Sequence, residues 1–172
     1  MEIRVRSTGA VMFWNEFRDL LLSQNPSELI TVAPQTEAWI NAHGADIVYE
    51  GAQATGGTVY QYSMRQGVEQ IGDKWHTKYV LGPIFIDTPA IEDRPARTAV
   101  ENEALYKAAM DAEQAANVRQ QRNRRLAALD WTQGKDIPDS ISSPAAFVRQ
   151  GLRDVPNQEG FPWAVVWPDA TE

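Results

Sequence analysis

The sequence predicts an α+β fold in which a small N-terminal antiparallel sheet with short helices is followed by a long linking helix and a loop-rich C-terminal module with one short helix. Within residues 1–88, Met1–Arg6 and Thr58–Val80 alternate apolar with polar positions, which is typical of strands that have one wet face. Residues 98–129 contain neither proline nor glycine, as a long helix requires. We therefore divide the chain into an α+β domain (1–88), a linker with the long helix (89–129) and a C-terminal module (130–172).

The N-terminal elements follow from local periodicity. We expect a strand over Met1–Arg6, a helix within Phe13–Leu22, a helix capped by Thr36 and stopped by Gly44, and a strand over Asp46–Glu50. Alternation then resumes over Thr58–Val80 on both sides of a Gly-Asp turn, which indicates an antiparallel meander.

The long helix carries a start signal and sorted charges. Thr98 and Glu101 form a capping box, and proline-rich residues 89–95 precede it as a linker. Acidic residues come first and arginines last, which suits the helix dipole. At ~1.5 Å per residue the helix is roughly 45 Å long. Its apolar stripe is thin and mostly alanine, so we interpret the helix as an arm that leans on a partner.

Two further elements are expected in the C-terminal module. Ser143 and Pro144 indicate the start of a short helix, with serine as the cap and proline at the first helical position. The helix should end by Asp154, because Pro156 prevents its extension. Ala164–Trp167 has the composition of a last short strand.

Composition excludes several classes of function. The formal net charge of −7 would repel phosphate, and no apolar stretch approaches the ~20 residues of a membrane span. The local run Arg119–Arg125 could contact RNA or DNA, but a surface that complements the helix dipole explains it better. We therefore expect neither a nucleic-acid nor a membrane partner.

Catalytic and ligand-binding signatures are also missing from the sequence. There is no cysteine, and the two histidines, His43 and His76, have no metal-ligand spacing. We interpret His43 as a helix C-terminal residue and His76 as a solvated strand residue. No phosphate-binding or nucleophile motif occurs. The expectation is a protein without catalytic residues, metal or cofactor.

Four motifs then occur in order near the C-terminus. They are Asp130-Trp131-Thr132-Gln133, Arg149-Gln150-Gly151-Leu152-Arg153-Asp154, Pro156, and Gly160-Phe161-Pro162-Trp163 closing on Trp167-Pro168. Together they resemble the C-terminal module of the phage tail (fibre) assembly chaperones, and the resemblance covers roughly residues 117–168. The chain departs from that family's pattern at Ala145 and Val148, where aromatic residues are usual, and at Gly151, where alanine is usual.

The resemblance implies a non-enzymatic protein that binds a tail-fibre or baseplate protein in the host cytoplasm during assembly. The alternative is a permanent component of the virion tail, such as a baseplate–fibre adaptor or a fibre cap. Self-association is left open. Tryptophan and arginine often dominate binding energy, so we expect the partner-binding residues to be Trp131, Phe147, Arg149, Arg153, Phe161, Trp163 and Trp167. The aromatic rings could equally form a local core, and both roles can hold together.

Overall fold

A computed structural model describes residues 1–168 of the chain. The α+β fold predicted from the sequence is confirmed, and the chain divides into two compact units. The first unit comprises Met1–Ile84, and the second begins at Phe85. No helix within residues 1–168 combines the length and the apolar character needed to cross a membrane.

The first unit is built on a five-stranded sheet. Its strands are β1 (Glu2–Val5), β2 (Val11–Phe13), β3 (Ala45–Tyr49), β4 (Tyr62–Ile71) and β5 (Lys74–Gly82), in the spatial order β2-β1-β3-β5-β4. All neighbours are antiparallel except β3 and β5, which run parallel. The sequence indicated β1 and β3 but not β2, which has only three residues.

The expected meander over Thr58–Val80 is a two-stranded hairpin that begins later. The Gln61 amide donates to Thr58 O at 3.0 Å, and the Thr58 amide donates to Gln61 Oε1 at 3.1 Å. These two bonds close a local turn, so residues 58–61 cannot extend β4. The hairpin therefore starts at Tyr62.

Two helices pack their apolar residues against this sheet. The helices are α1 (Trp14–Gln24) and α2 (Glu37–Ala42). The buried cluster consists of Ile3, Trp14, Phe17, Ile40 and Ala45. Burying a large apolar side chain contributes about 1.5–3 kcal/mol, which makes this cluster the main stabilising feature of the unit.

The predicted signals at both ends of α2 are confirmed. The Thr36 side chain accepts a hydrogen bond from the Trp39 amide, and Gly44 has a φ of +74°. His43 follows the helix, and its Nδ1 lies 2.8 Å from Trp39 O. His76 is half-buried rather than solvated, because its ring lies 5.8 Å from that of Tyr49.

The second unit contains the long helix α3 (Ala99–Ala128), which is continuous over 30 residues as predicted. The Thr98 amide donates to Glu101 Oε2 at 2.7 Å, and the Glu101 amide donates to Thr98 Oγ1 at 3.3 Å. The bonds from Thr98 hold the pKa of Glu101 below its ordinary value. This capping box is the start signal seen in the sequence.

The helix α4 (Asp139–Asp154) is longer than predicted and begins after Pro138 rather than at Ser143. Pro144 therefore lies inside the helix. Pro144 is the sixth residue of the helix, where its missing N–H leaves Ser140 O without its usual intrahelical donor. The sequence-based start was wrong because a proline early in a helix was interpreted as its first residue.

The short strand expected over Ala164–Trp167 was also wrong. The Gln158 side-chain amide forms hydrogen bonds with both the N–H and the C=O of Val166. Its Nε2 donates to Val166 O at 2.7 Å, and its Oε1 accepts from the Val166 amide at 2.8 Å. A side-chain amide thus takes the place that a neighbouring strand would have taken.

Candidate partner-binding surface

The second unit is held together by a helical pair with a small apolar core. Its buried residues are Ala115 and Val118 of α3, Ala145, Val148 and Leu152 of α4, and Val155 just beyond. Small side chains at Ala115 and Ala145 let the two helix axes approach closely. The sequence comparison singled out Ala145 and Val148 as positions where aromatic residues are usual, and both are buried. They therefore fill the core here rather than face solvent.

The Asp-Trp-Thr-Gln motif forms a single turn of 3₁₀-helix over Asp130–Gln133. Thr132 is buried, and its hydroxyl donates to Leu129 O at 2.6 Å. Trp131, its neighbour in the turn, is 61% exposed. Because successive residues of so tight a turn point in different directions, anchoring Thr132 presents the Trp131 ring to solvent.

Arg149 joins α4 to the end of α3. Its Nη1 donates to Leu126 O at 3.0 Å and to Asp130 Oδ1 at 2.7 Å. Leu126 O lies in the last turn of α3, where carbonyl groups lack the usual helical partners. The Arg149 side chain is only 12% exposed. Its contacts therefore position the corner between the helices, whereas Arg153 on the same helix is exposed.

The Gly-Phe-Pro-Trp motif lies along α3. The Trp163 Nε1–H donates to Asp111 Oδ1 at 2.6 Å, and Gln114 Nε2 donates to Pro162 O at 3.4 Å. The Trp163 and Ala164 amides both donate to Gly160 O, which closes a compact turn. The indole of Trp163 is half-buried by this arrangement.

Two arginines of α3 lie over the other two aromatic rings of residues 158–168, the C-terminal segment of the described chain, which is called the tail below. The Arg119 guanidinium carbon lies 5.4 Å from the Phe161 ring centroid, and that of Arg125 lies 4.3 Å from the Trp167 centroid. Each such cation–π contact is worth about 0.5–1 kcal/mol at an exposed site. These two arginines therefore have an intramolecular role in addition to complementing the helix dipole.

Gly151 is explained by the end of the tail. A Cβ placed on Gly151 would lie 2.9 Å from Pro168 Cβ and 3.2 Å from its Cγ. Glycine in a helix interior costs up to about 1 kcal/mol relative to alanine. Here the missing methyl group leaves room for Pro168 to pack against α4. Trp167-Pro168 therefore binds both helices, through Arg125 and Gly151 respectively.

Two large aromatic side chains of the unit remain on the surface. Trp131 is 61% exposed and Phe147 is 68% exposed. Phe147 lies away from the buried residues of α4, in the middle of the helix. Aromatic residues on the surface of a soluble protein are common anchors of protein interfaces.

The comparison with known families agrees with this part of the chain. Residues 115–172 match the family model of the phage tail assembly chaperone protein. The match confirms the resemblance that the four motifs indicated. It covers about a third of the chain and begins at Ala115, where the core between α3 and α4 begins. No curated protein and no solved structure matches the chain.

Within the segment that matches this family model, the structure separates the seven expected residues into two groups. Phe161, Trp163, Trp167 and Arg149 contact α3 or its end. Trp131, Phe147 and Arg153 are exposed. No local pattern indicated which α3 residues the first group contacts, because Asp111 and Trp163, for example, are 52 residues apart. Among residues 1–168 there is no group of three or more metal-ligating side chains.

Proposed function

We propose that the chain is a tail-fibre assembly chaperone that binds a phage tail-fibre protein before the fibre assembles, and that it has no enzymatic role. The observation that supports this most is the match of residues 115–172 to the phage tail assembly chaperone family. The exposed rings of Trp131 and Phe147 lie in the same segment. An unassembled fibre subunit exposes apolar surface that is buried later, and such surface aggregates unless it is covered.

The two groups of residues suggest two roles within this function. Trp131 and Phe147 would bury their rings against the partner, with the exposed guanidinium of Arg153 available to a carboxylate of the partner. Phe161, Trp163, Trp167 and Arg149 would position this surface through their contacts with α3. On this proposal the protein acts in the host cytoplasm during assembly.

The binding surface is tested by co-expressing the full chain with the tail-fibre protein of the same phage. Replacing an interface anchor by alanine typically costs about 2 kcal/mol, or roughly 30-fold in Kd. The double variant Trp131→Ala/Phe147→Ala should therefore lose co-purification of the fibre protein. Leu29→Ala is the matched control, because Leu29 is 99% exposed in the first unit and its truncation should leave binding unchanged.

A circular dichroism spectrum of the double variant controls for folding, since both side chains are exposed and their loss should not alter the helices. Unchanged co-purification of this variant would contradict the proposed surface. Mass spectrometry of purified virions distinguishes the chaperone from the alternative role. A chaperone should be absent from the particle, whereas a stoichiometric amount would indicate a permanent tail component.

A further inference from the structure

The long helix α3 has an exposed face that its own unit does not use. Leu105, Ala108, Ala112 and Ala116 recur at helical spacing and are all exposed. The buried residues Ala115 and Val118 lie on the face turned toward α4. Beside the first part of the exposed face is an open groove of about 690 Å³, lined by Pro95, Leu105, Ala108 and neighbouring residues.

The charges along α3 select the partner that fits this face. Residues 99–113 contain four acidic residues and one lysine, a net charge of −3. Residues 114–128 contain four arginines and no acidic residue, a net charge of +4. A second copy of α3 in antiparallel orientation would place each acidic half against a basic half. A parallel copy would place like charges together, which is unfavourable.

We infer that two copies of this chain pair through α3 in antiparallel orientation, with the alanine positions at the centre of the contact. In the register that sets Glu101 opposite Arg119, Ala108 faces Ala112, and Leu105 lies within one residue, or about 1.5 Å along the axis, of Ala116. Each of these contacts occurs twice, as a two-fold symmetric interface requires. Alanine at the centre allows the helix axes to approach to about 8 Å, and Leu105 fills the space at either end.

The ion pairs and the apolar face would have different roles in the contact between the two copies of α3. Exposed ion pairs contribute little to affinity, so the pair between Glu101 and Arg119 would set orientation rather than affinity. Burial of the apolar face would supply the stability. The contact from Glu101 to Arg119 spans 18 residues, or roughly 27 Å of helix. Arg119 can serve both contacts, because it is exposed even while it lies over Phe161.

Orientation is tested with introduced cysteines, since the natural chain has none. Leu105 and Ala116 are 11 residues apart, or roughly 16 Å along one helix, which is too far for an intramolecular disulfide. In the antiparallel pair, a Leu105→Cys chain mixed with an Ala116→Cys chain should form a disulfide-linked heterodimer under mild oxidation. Leu105→Cys alone should not cross-link, because its two copies would also be roughly 16 Å apart.

The contact itself is tested by light scattering on the full chain over a concentration series. The natural chain should show twice the monomer mass, and Ala112→Glu should raise the dissociation constant at least about 10-fold by placing two carboxylates at the centre of the contact. Gln121→Glu is the matched control, since it adds the same charge at an exposed position on the opposite side of α3. Circular dichroism should show unchanged helix content in both variants.

Three results would overturn the inference. The first is a chain that stays monomeric up to about 1 mM. That result would mean a binding free energy of less than about 4 kcal/mol for the pair, which is too weak for a specific dimer. The second is cross-linking of Leu105→Cys with itself, which would indicate a parallel pair. The third is a dimer that Ala112→Glu leaves intact, which would place the interface elsewhere.

Discussion

Replacing Trp163 by phenylalanine tests whether the tail is part of the folded second unit. The substitution keeps an aromatic ring but removes the Nε1–H that donates to Asp111 Oδ1 at 2.6 Å. A hydrogen bond to a charged group contributes about 1.5–3 kcal/mol, and partial solvent exposure reduces the expected loss to about 1–2 kcal/mol. With a urea m-value of about 1–2 kcal/mol per molar, the unfolding midpoint should fall by about 1 M.

The assay is urea unfolding followed by circular dichroism at 222 nm. Helices α3 and α4 contain 30 and 16 residues, against 11 and 6 in α1 and α2, so the signal reports mainly on the second unit. A double-mutant cycle with Asp111→Ala separates the hydrogen bond from ring packing. Trp131→Phe is the control and should change stability by less than about 0.5 kcal/mol, since Trp131 is 61% exposed. An unchanged midpoint for Trp163→Phe, or a cycle without coupling, would refute the reasoning.

Three further predictions concern the helices. In Ala112→Pro the free energy of unfolding should fall by more than about 3 kcal/mol and much of the 222 nm signal should be lost, because proline removes a backbone hydrogen bond and introduces a clash in the middle of α3. An unchanged spectrum would contradict a continuous helix. Gly151→Ala should stabilise α4 locally by up to about 1 kcal/mol, yet its new methyl group should displace Pro168. Hydrogen exchange or limited proteolysis of residues 158–168 should then show increased exchange or cleavage. The pKa of Glu101 is lowered by its bonds from Thr98, so its contribution to stability is present above the ordinary pKa of a glutamate and is lost as the pH falls through the lowered value. Glu101→Gln should remove that part of the acid dependence when unfolding is measured between about pH 6 and pH 2, and an unaltered pH profile would contradict the role of this cap.

The elements that the sequence predicted well are those with strong local signals. The helix α3 has a capping box at Thr98 and no breaker for 30 residues, so no tertiary contact was needed to predict it. The turn at Gly44 is similar, because a left-handed residue after a short helix is a local requirement. By contrast, β2 is three residues long and exists only because it pairs with β1.

The packing of the tail could not be predicted in the same way. The sequence indicated that the aromatic residues matter, but it left open whether they form a core or face a partner. Trp163 binds Asp111, and Pro168 packs against Gly151, through contacts that link residues far apart in the chain. The unusual glycine in α4 was a visible departure from the family pattern. Its reason became clear only when the position of Pro168 was known.

The yield of soluble tail-fibre protein tests the central claim most directly. The fibre protein of the same phage would be expressed alone, with the full chain, and with the Trp131→Ala/Phe147→Ala variant, and its soluble trimeric fraction measured. A tail-fibre chaperone should raise that fraction severalfold, and the double variant should return it to the level of the fibre protein alone. An equal soluble trimer yield in all three cultures would contradict a chaperone role for this protein.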